Sequence, residues 1–345
     1  MLRTAGRIVG GAVALGAGAV GYAALVERNW FALREYAVPV LAPGSTPLRV
    51  LHVSDLHLVP GQQRRIQWTR GLAALRPDFV VNTGDNLAAL DAVPAALEAL
   101  EPLLGFPGAF VTGSNDYFAP VPKNPARYLT RRHAEAPKGR VRLPVDELRA
   151  GMAAGGWVDL DNARTVLTVE GDRVELVGTG DGHIGLDRYA AVSAPAAPDV
   201  AVTIGVTHAP YQRILNAMVA DGASLIIAGH THGGQLAVPF YGALVTNCDL
   251  PTDRVKGLSR WWQGAGAPYA GVPGWRQRLA SWGGGTGMVG GARAPEEAPE
   301  DAAWLEVSAG LGTSPYAPVR FACRPEATLL TLTPRAPAFP RQARK

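Results

Sequence analysis

Four times in this chain a β-rich apolar run stops at a short polar motif that carries Asp or His. Leu48–Val53 leads into Ser54-Asp55-Leu56-His57, and Asp78–Asn82 into Thr83-Gly84-Asp85-Asn86. Val200–Val206 leads into Thr207-His208, and Ser224–Ala228 into Gly229-His230-Thr231-His232. Runs of this length and composition read as buried strands. Helical stretches separate them at about 63–75, 89–104 and 210–221, and a further strand is expected at 108–114. The alternation predicts an α/β domain. It also gathers carboxylate and imidazole groups at one edge of a sheet, which is where open α/β sheets bind ligands.

The chemistry of that edge follows from the residue types. In extended backbone, residues i and i+2 point the same way, so Asp55 can converge with His57 and His230 with His232. Mixed carboxylate and imidazole donors suit zinc, manganese or iron. Six such donors exceed what one ion needs, and Asp85, central in the order, is the candidate bridge between two. Two ions about 3.5–4 Å apart can activate a shared hydroxide and clamp a phosphoryl oxygen. Taken singly, a strand-end Asp is more often a turn former and a lone His a satisfied core or surface residue. The set is not single: four of the seven histidines stand in these motifs.

Composition bounds the alternatives. The 345 residues are 47% apolar and 18% charged, enough for a sizeable core. A net charge of +4 permits an anionic substrate or membrane surface but is too small to indicate a nucleic-acid partner. The two cysteines, Cys248 and Cys323, show no zinc-binding spacing and read as buried thiols. Residues 8–26 are uncharged, and about 19 apolar residues just span a bilayer. Eleven of them are Gly or Ala, which weakens the signal. An anchor is expected; a signal peptide cut near Ala17-Gly18-Ala19 and a helix docked on the protein are the other readings.

The order DxH…GD…H…GHTH resembles the calcineurin-like metallophosphoesterases. The segment Gly229–Pro239 resembles their membrane-anchored bacterial branch, and the likeness covers about 48–250 and 304–321. It implies a four-layer α-β-β-α sandwich of two mixed sheets, preceded by an N-terminal apolar helix. It implies a first ion held by Asp55, His57, Asp85 and His232, and a second held by Asp85, His208 and His230. The family carries Gly-Asn-His after the third strand, whose Asn ligates and whose His assists the phosphate. Here Gly113-Ser114-Asn115-Asp116 stands there. Asn115 is expected to ligate the second ion in preference to Ser114, and the family's adjacent His is absent. His183 and His133 are candidate substitutes, with surface roles expected for both. His52 is out of phase with Asp55 and is expected to face the core or the opposite face.

The domain reading is an anchor and extended linker over 1–47, a metallophosphoesterase domain over 48–334 and a loose tail over 335–345. The stretch 118–150 holds eight basic against three acidic residues and is either a solvated face or a cationic flap. Residues 258–303, rich in Gly, Pro and Trp, read as an insertion without periodicity. The function expected is hydrolysis of a phosphomonoester or phosphodiester at the cell membrane, on a lipid or envelope substrate. Asp85, Asn115 and His208 are the residues expected closest to the chemistry. A soluble exported nucleotide phosphodiesterase and a non-catalytic metal-binding sensor or scaffold are the alternatives.

Overall fold

The computed structural model describes residues 11, 14–122, 139–239, 241–266 and 298–336. In chain order the strands are β1 (Ala32–Leu41), β2 (Leu48–Val53), β3 (Phe79–Asn82), β4 (Gly108–Phe110), β5 (Val158–Asp159), β6 (Arg164–Val169) and β7 (Asp172–Thr179). There follow β8 (Val202–Thr207), β9 (Leu225–Ala228), β10 (Ala237–Val238), β11 (Gly242–Ala243), β12 (Gly257–Trp261), β13 (Ala303–Val307) and β14 (Glu326–Pro334). One six-stranded sheet runs β1-β14-β2-β3-β4-β5 and the other β12-β13-β9-β8-β7-β6, while β10 and β11 form a small hairpin. Both sheets are mixed. In the first, β14 is antiparallel to β2 and the other pairings are parallel; in the second, β12–β13 and β6–β7 are the antiparallel pairs.

Side-chain alternation makes the layers. In β2, Leu51 and Val53 pack outward against helices α1 (Gln63–Gly71), α2 (Val93–Leu100) and, beyond the short α3 (Ser114–Tyr117), α4 (Val145–Ala154). Val50 points the other way and meets Leu176, Ile204, Val206 and Ile227 of the second sheet. Leu305 and Val307 of β13 pack on α5 (Gln212–Ala220) through Ile214, Leu215 and Met218. The result is helices, sheet, sheet, helix, as the resemblance implied. His52, between Leu51 and Val53, turns into the space between the sheets. There its Nδ1 lies 2.5 Å from Glu306 Oε2 and its Nε2 2.8 Å from Thr83 Oγ1.

Two expectations need correction. Residues 37–47 are not simply a linker before a domain that starts at Leu48. Residues 32–41 are β1, paired in parallel along the length of β14. Proline at position 39 is tolerated because β1 is an edge strand, where a missing N–H breaks no ladder on the outer side. The stretch 258–303 opens with a strand, β12, in which Ser259 and Trp261 are buried. Its residues 267–297, with Trp275, Trp282, Arg276 and Arg278, lie outside the described residues, as do 123–138 of the basic stretch and with them His133. Of the apolar run 8–26, residues 14–21 are helical and Tyr22–Val26 continue as a π-turn. Among the described residues no helix is long and apolar enough to cross a membrane. Both cysteines are free and buried, as expected.

Candidate metal centre

The motifs meet where the carboxyl ends of β2, β3 and β4 in one sheet face those of β8 and β9 in the other. His57 Nε2 lies 3.1 Å from His232 Nε2, and Asp55 Oδ1 lies 3.9 Å from the first and 3.6 Å from the second. On the other side, His208 Nε2 lies 3.2 Å from His230 Nδ1. Asp85 stands between them, with Oδ2 3.5 Å from His57 Nε2 and Oδ1 3.5 Å from His208 Nε2. Two donor groups result, Asp55 with His57 and His232, and Asp55 with Asp85 and His208. All six sequence-predicted Asp and His residues are therefore brought together.

These distances fit a divalent cation better than they fit direct bonding. Bonds of about 2.1 Å in a tetrahedral or octahedral shell put neighbouring donors about 3.0–3.4 Å apart. Asp55 Oδ1 is buried with no hydrogen-bond partner, as an oxygen reserved for a cation would be. For His208 and His230 the far nitrogens face backbone carbonyls, as metal ligation needs, whereas His57 Nδ1 is buried without a partner and His232 Nδ1 faces the Arg320 guanidinium. His208 Nδ1 lies 2.6 Å from the Thr83 carbonyl, and His230 Nε2 3.4 Å from that of Asn247. Burial pushes His57 down to about 4, and His230 and His232 well below the usual imidazole range, so all three keep a free lone pair at neutral pH. Burial also lifts Asp55 to about 6, Asp85 adding to the rise and His208 opposing it. For Asp85 burial acts upward too, but His208, His57 and the Asn115 hydrogen bond outweigh it and hold the carboxyl well below its ordinary value.

The backbone reasoning brought Asp55 and His57 together by the wrong geometry, and it paired His230 with His232, which the structure separates: His232 faces His57 and His230 faces His208. The ligands do not sit on extended backbone. Strands β2 and β9 end at Val53 and Ala228, and Asp55, His57, Asp85, His230 and His232 all have φ between 42° and 69°. Convergence comes from tight left-handed turns at the strand ends. Glycine is required beside them: a Cβ on Gly113 would lie 2.3 Å from Asp85 Oδ1 and 2.6 Å from His208 Cε1.

Asn115 also enters the site, through Asp85. Its backbone N–H donates to Asp85 Oδ1 at 2.7 Å and its amide Nδ2–H to Oδ2 at 2.6 Å. His183 is exposed, yet its ring lies 4.6 Å from that of His230 and its Nδ1 3.1 Å from Tyr211 Oη, at the border of the site. Three residues went unassigned from sequence. Asp116 accepts the backbone N–H groups of Gly113, Asp85, Asn86 and Leu87, locking two ligand loops together. Arg320 is fully buried and donates to the carbonyls of Ala309, Gly310 and Gly312 behind His232. Asp181 is buried with Oδ2 unpartnered, and burial raises it to about 7, with His208 opposing. Only Asp116 had a local signal, its place in the polar run after β4.

A family model described as Calcineurin-like phosphoesterase matches residues 48–234, from β2 through the last predicted ligand. The chain belongs to this family. It is 25% identical to Phosphodiesterase YaeI of Escherichia coli over 64% of this chain and 74% of that one. It is 24% identical to an uncharacterized metallophosphoesterase, YkuE, of Bacillus subtilis over 70% and 78%. A transmembrane protein with metallophosphoesterase domain from Bos taurus is 27% identical over 58% of this chain, which spans 44% of that protein. As a calcineurin-like phosphoesterase the chain is a hydrolase acting on phosphate esters, in a family that uses divalent metal ions.

Proposed function

We propose that the protein hydrolyses a phosphomonoester or phosphodiester at a dinuclear centre, acting at the membrane on a lipid or envelope substrate. Asp55, His57, Asp85 and His232 would hold one ion, and Asp85, His208, His230 and Asn115 the other. When bound, the ions supply Lewis acidity, polarising a phosphoryl oxygen and lowering the pKa of water. The observation that carries the reading is the placement of Asp85, whose two oxygens face different imidazoles at 3.5 Å each. The chain's own residues do the rest. Neutral His57, His230 and His232 keep donor lone pairs aimed inward. Asn115 fixes the Asp85 carboxylate from both sides. Gly113 lets the backbone pass close to Asp85 and His208, where a Cβ would collide with both. His183 borders the site, within reach of a group bound beside His230.

The test is metal content with turnover. Protein purified without chelator should hold close to two transition-metal ions per chain and cleave bis(p-nitrophenyl) phosphate. Asp85→Ala should lose both ions and the activity. Full metal retention in that variant would sink the assignment.

A further inference from the structure

Large apolar side chains are exposed very unevenly over this molecule. Fourteen are exposed among the described residues. Six lie on residues 15–30, four on and beside the β10–β11 hairpin, and one is Tyr316. These three segments touch. The Tyr22 ring meets the Phe321 ring at 6.3 Å, and the Arg320 N–H donates to the Ala23 carbonyl at 3.1 Å. Leu236 bridges to Phe321, and Gln235 Nε2 donates to the carbonyls of Ala317 and Val319. The exposed residues, including Leu25 (72%), Val26 (50%), Trp30 (52%), Leu244 (55%) and Tyr316 (56%), thus lie on three segments joined to one another. Scattered single apolar residues are ordinary, but a joined set marks an interaction site.

The surface also adjoins the metal centre. Gln235 and Leu236 follow directly on His232-Gly233-Gly234, and Arg320 braces the carbonyls behind His232. Among the ligands in close ion-pair contact His232 has the most exposed side chain, 12% against 0–3% for Asp55, His57, Asp85 and His208. The apolar segments therefore run directly on from the most exposed of these ligands.

We infer that this surface docks on a lipid bilayer, with the β10–β11 hairpin and residues 15–30 entering the interface together, so that the centre receives an amphiphilic phosphate ester whose apolar part stays in the membrane. Two features favour lipid over a protein partner. Its members from Leu15 to Val26 belong to the uncharged sequence run 8–26, which has Arg3 and Arg7 before it. Its aromatic members and the Arg324 guanidinium, 4.3 Å over the Trp30 ring, are the mixture that settles at the headgroup level. The substrate class rests on the phosphoesterase reading; the docking does not.

The test uses the full chain and vesicles of phosphatidylethanolamine and phosphatidylglycerol. Cys248 and Cys323 are buried, so an environment-sensitive dye should attach selectively to Leu244→Cys. Its emission should shift to the blue and rise severalfold on adding vesicles, and persist at high salt because the burial is apolar. The same dye on Leu90→Cys, exposed and outside these three segments, should not respond. Leu25→Asp with Leu244→Asp should lower the vesicle-bound fraction at least threefold at an unchanged melting temperature. An unresponsive Leu244→Cys on protein that sediments with vesicles would overturn the proposal, and so would equal responses at both positions. A shift without vesicles that grows with protein concentration would also overturn it, assigning the surface to a second copy. Docking is read without turnover, so failure to cleave bis(p-nitrophenyl) phosphate would count against the phosphoesterase reading alone.

Discussion

Asn115 concentrates what is unusual about this site in one residue. The resemblance expects a His there. The structure gives an amide that donates to Asp85 Oδ2 while the backbone of the same residue donates to Oδ1. Such outer support of a ligand typically changes metal affinity about 10–100-fold. Asn115→Ala is therefore expected to weaken the ion on the Asp85–His208 side by that factor and leave the Asp55–His57–His232 side filled. Excess metal should restore most of the activity, and Ser114→Ala should be much milder. Titration against a competing chelator reads both affinities, and an unchanged weaker site would refute the role. At this scale the ligands were legible because each motif is local, a polar pair or triplet at the end of an apolar run. Asp116, Arg320 and Asp181 were not. The first two act on backbone groups of distant segments, and no spacing in the chain announces a carbonyl or an N–H that needs a partner.

Among the elements, β1 departs furthest from the sequence reading. Its proline and the weak alternation of ALREYAVPVL speak for a linker, yet Val38, Val40 and Leu41 are buried against the second sheet. Its partner β14 lies about 290 residues downstream, a pairing invisible to any local pattern. Arg34 also meets Glu326 across this pair at 3.0 Å. A chain cut to begin at residue 45 loses β1 and leaves β14, nine residues with a run of Leu and Thr, as an open edge. Uncovered edges of that kind recruit other chains. The shortened protein is expected to aggregate on concentration, whereas one beginning at residue 22 stays monodisperse by light scattering. Helices α1, α2 and α5 and the central strands β2, β3, β8 and β9, by contrast, were readable within a few residues, whereas α4 in the basic stretch was not. Their apolar runs have to satisfy packing on both faces, and that leaves a plain mark in composition.

Across the whole molecule, the two sheets are joined by apolar packing with one polar seam. Glu306 holds His52 at 2.5 Å and accepts from Thr328; His52 reaches Thr83, Thr83 donates to Ser54 at 2.6 Å, and Ser54 donates to Asp55. The α/β class was legible from the strand–helix alternation and the four layers from the resemblance, while the phase of His52 set it apart from Asp55. The partner of His52, 254 residues away, was not legible. Removing one member of a buried pair costs about 3–5 kcal/mol, because the other is left without its bond. Glu306→Ala should therefore lose about that much stability in urea unfolding. The double variant His52→Leu with Glu306→Leu should lose less than the sum of the two single changes. Additive losses would mean that the seam is not a coupled unit. A different consequence follows from the left-handed turns that carry five of the six ligands. Only Gly, Asn, Asp and His enter that backbone region with any ease. The ligand alphabet open to evolution here is thus set by torsion angle as much as by affinity for metal. Glutamate, which has the charge of aspartate, is a poorer replacement than asparagine, which lacks it. Drift toward another metal is channelled through the few residues that can make the bend.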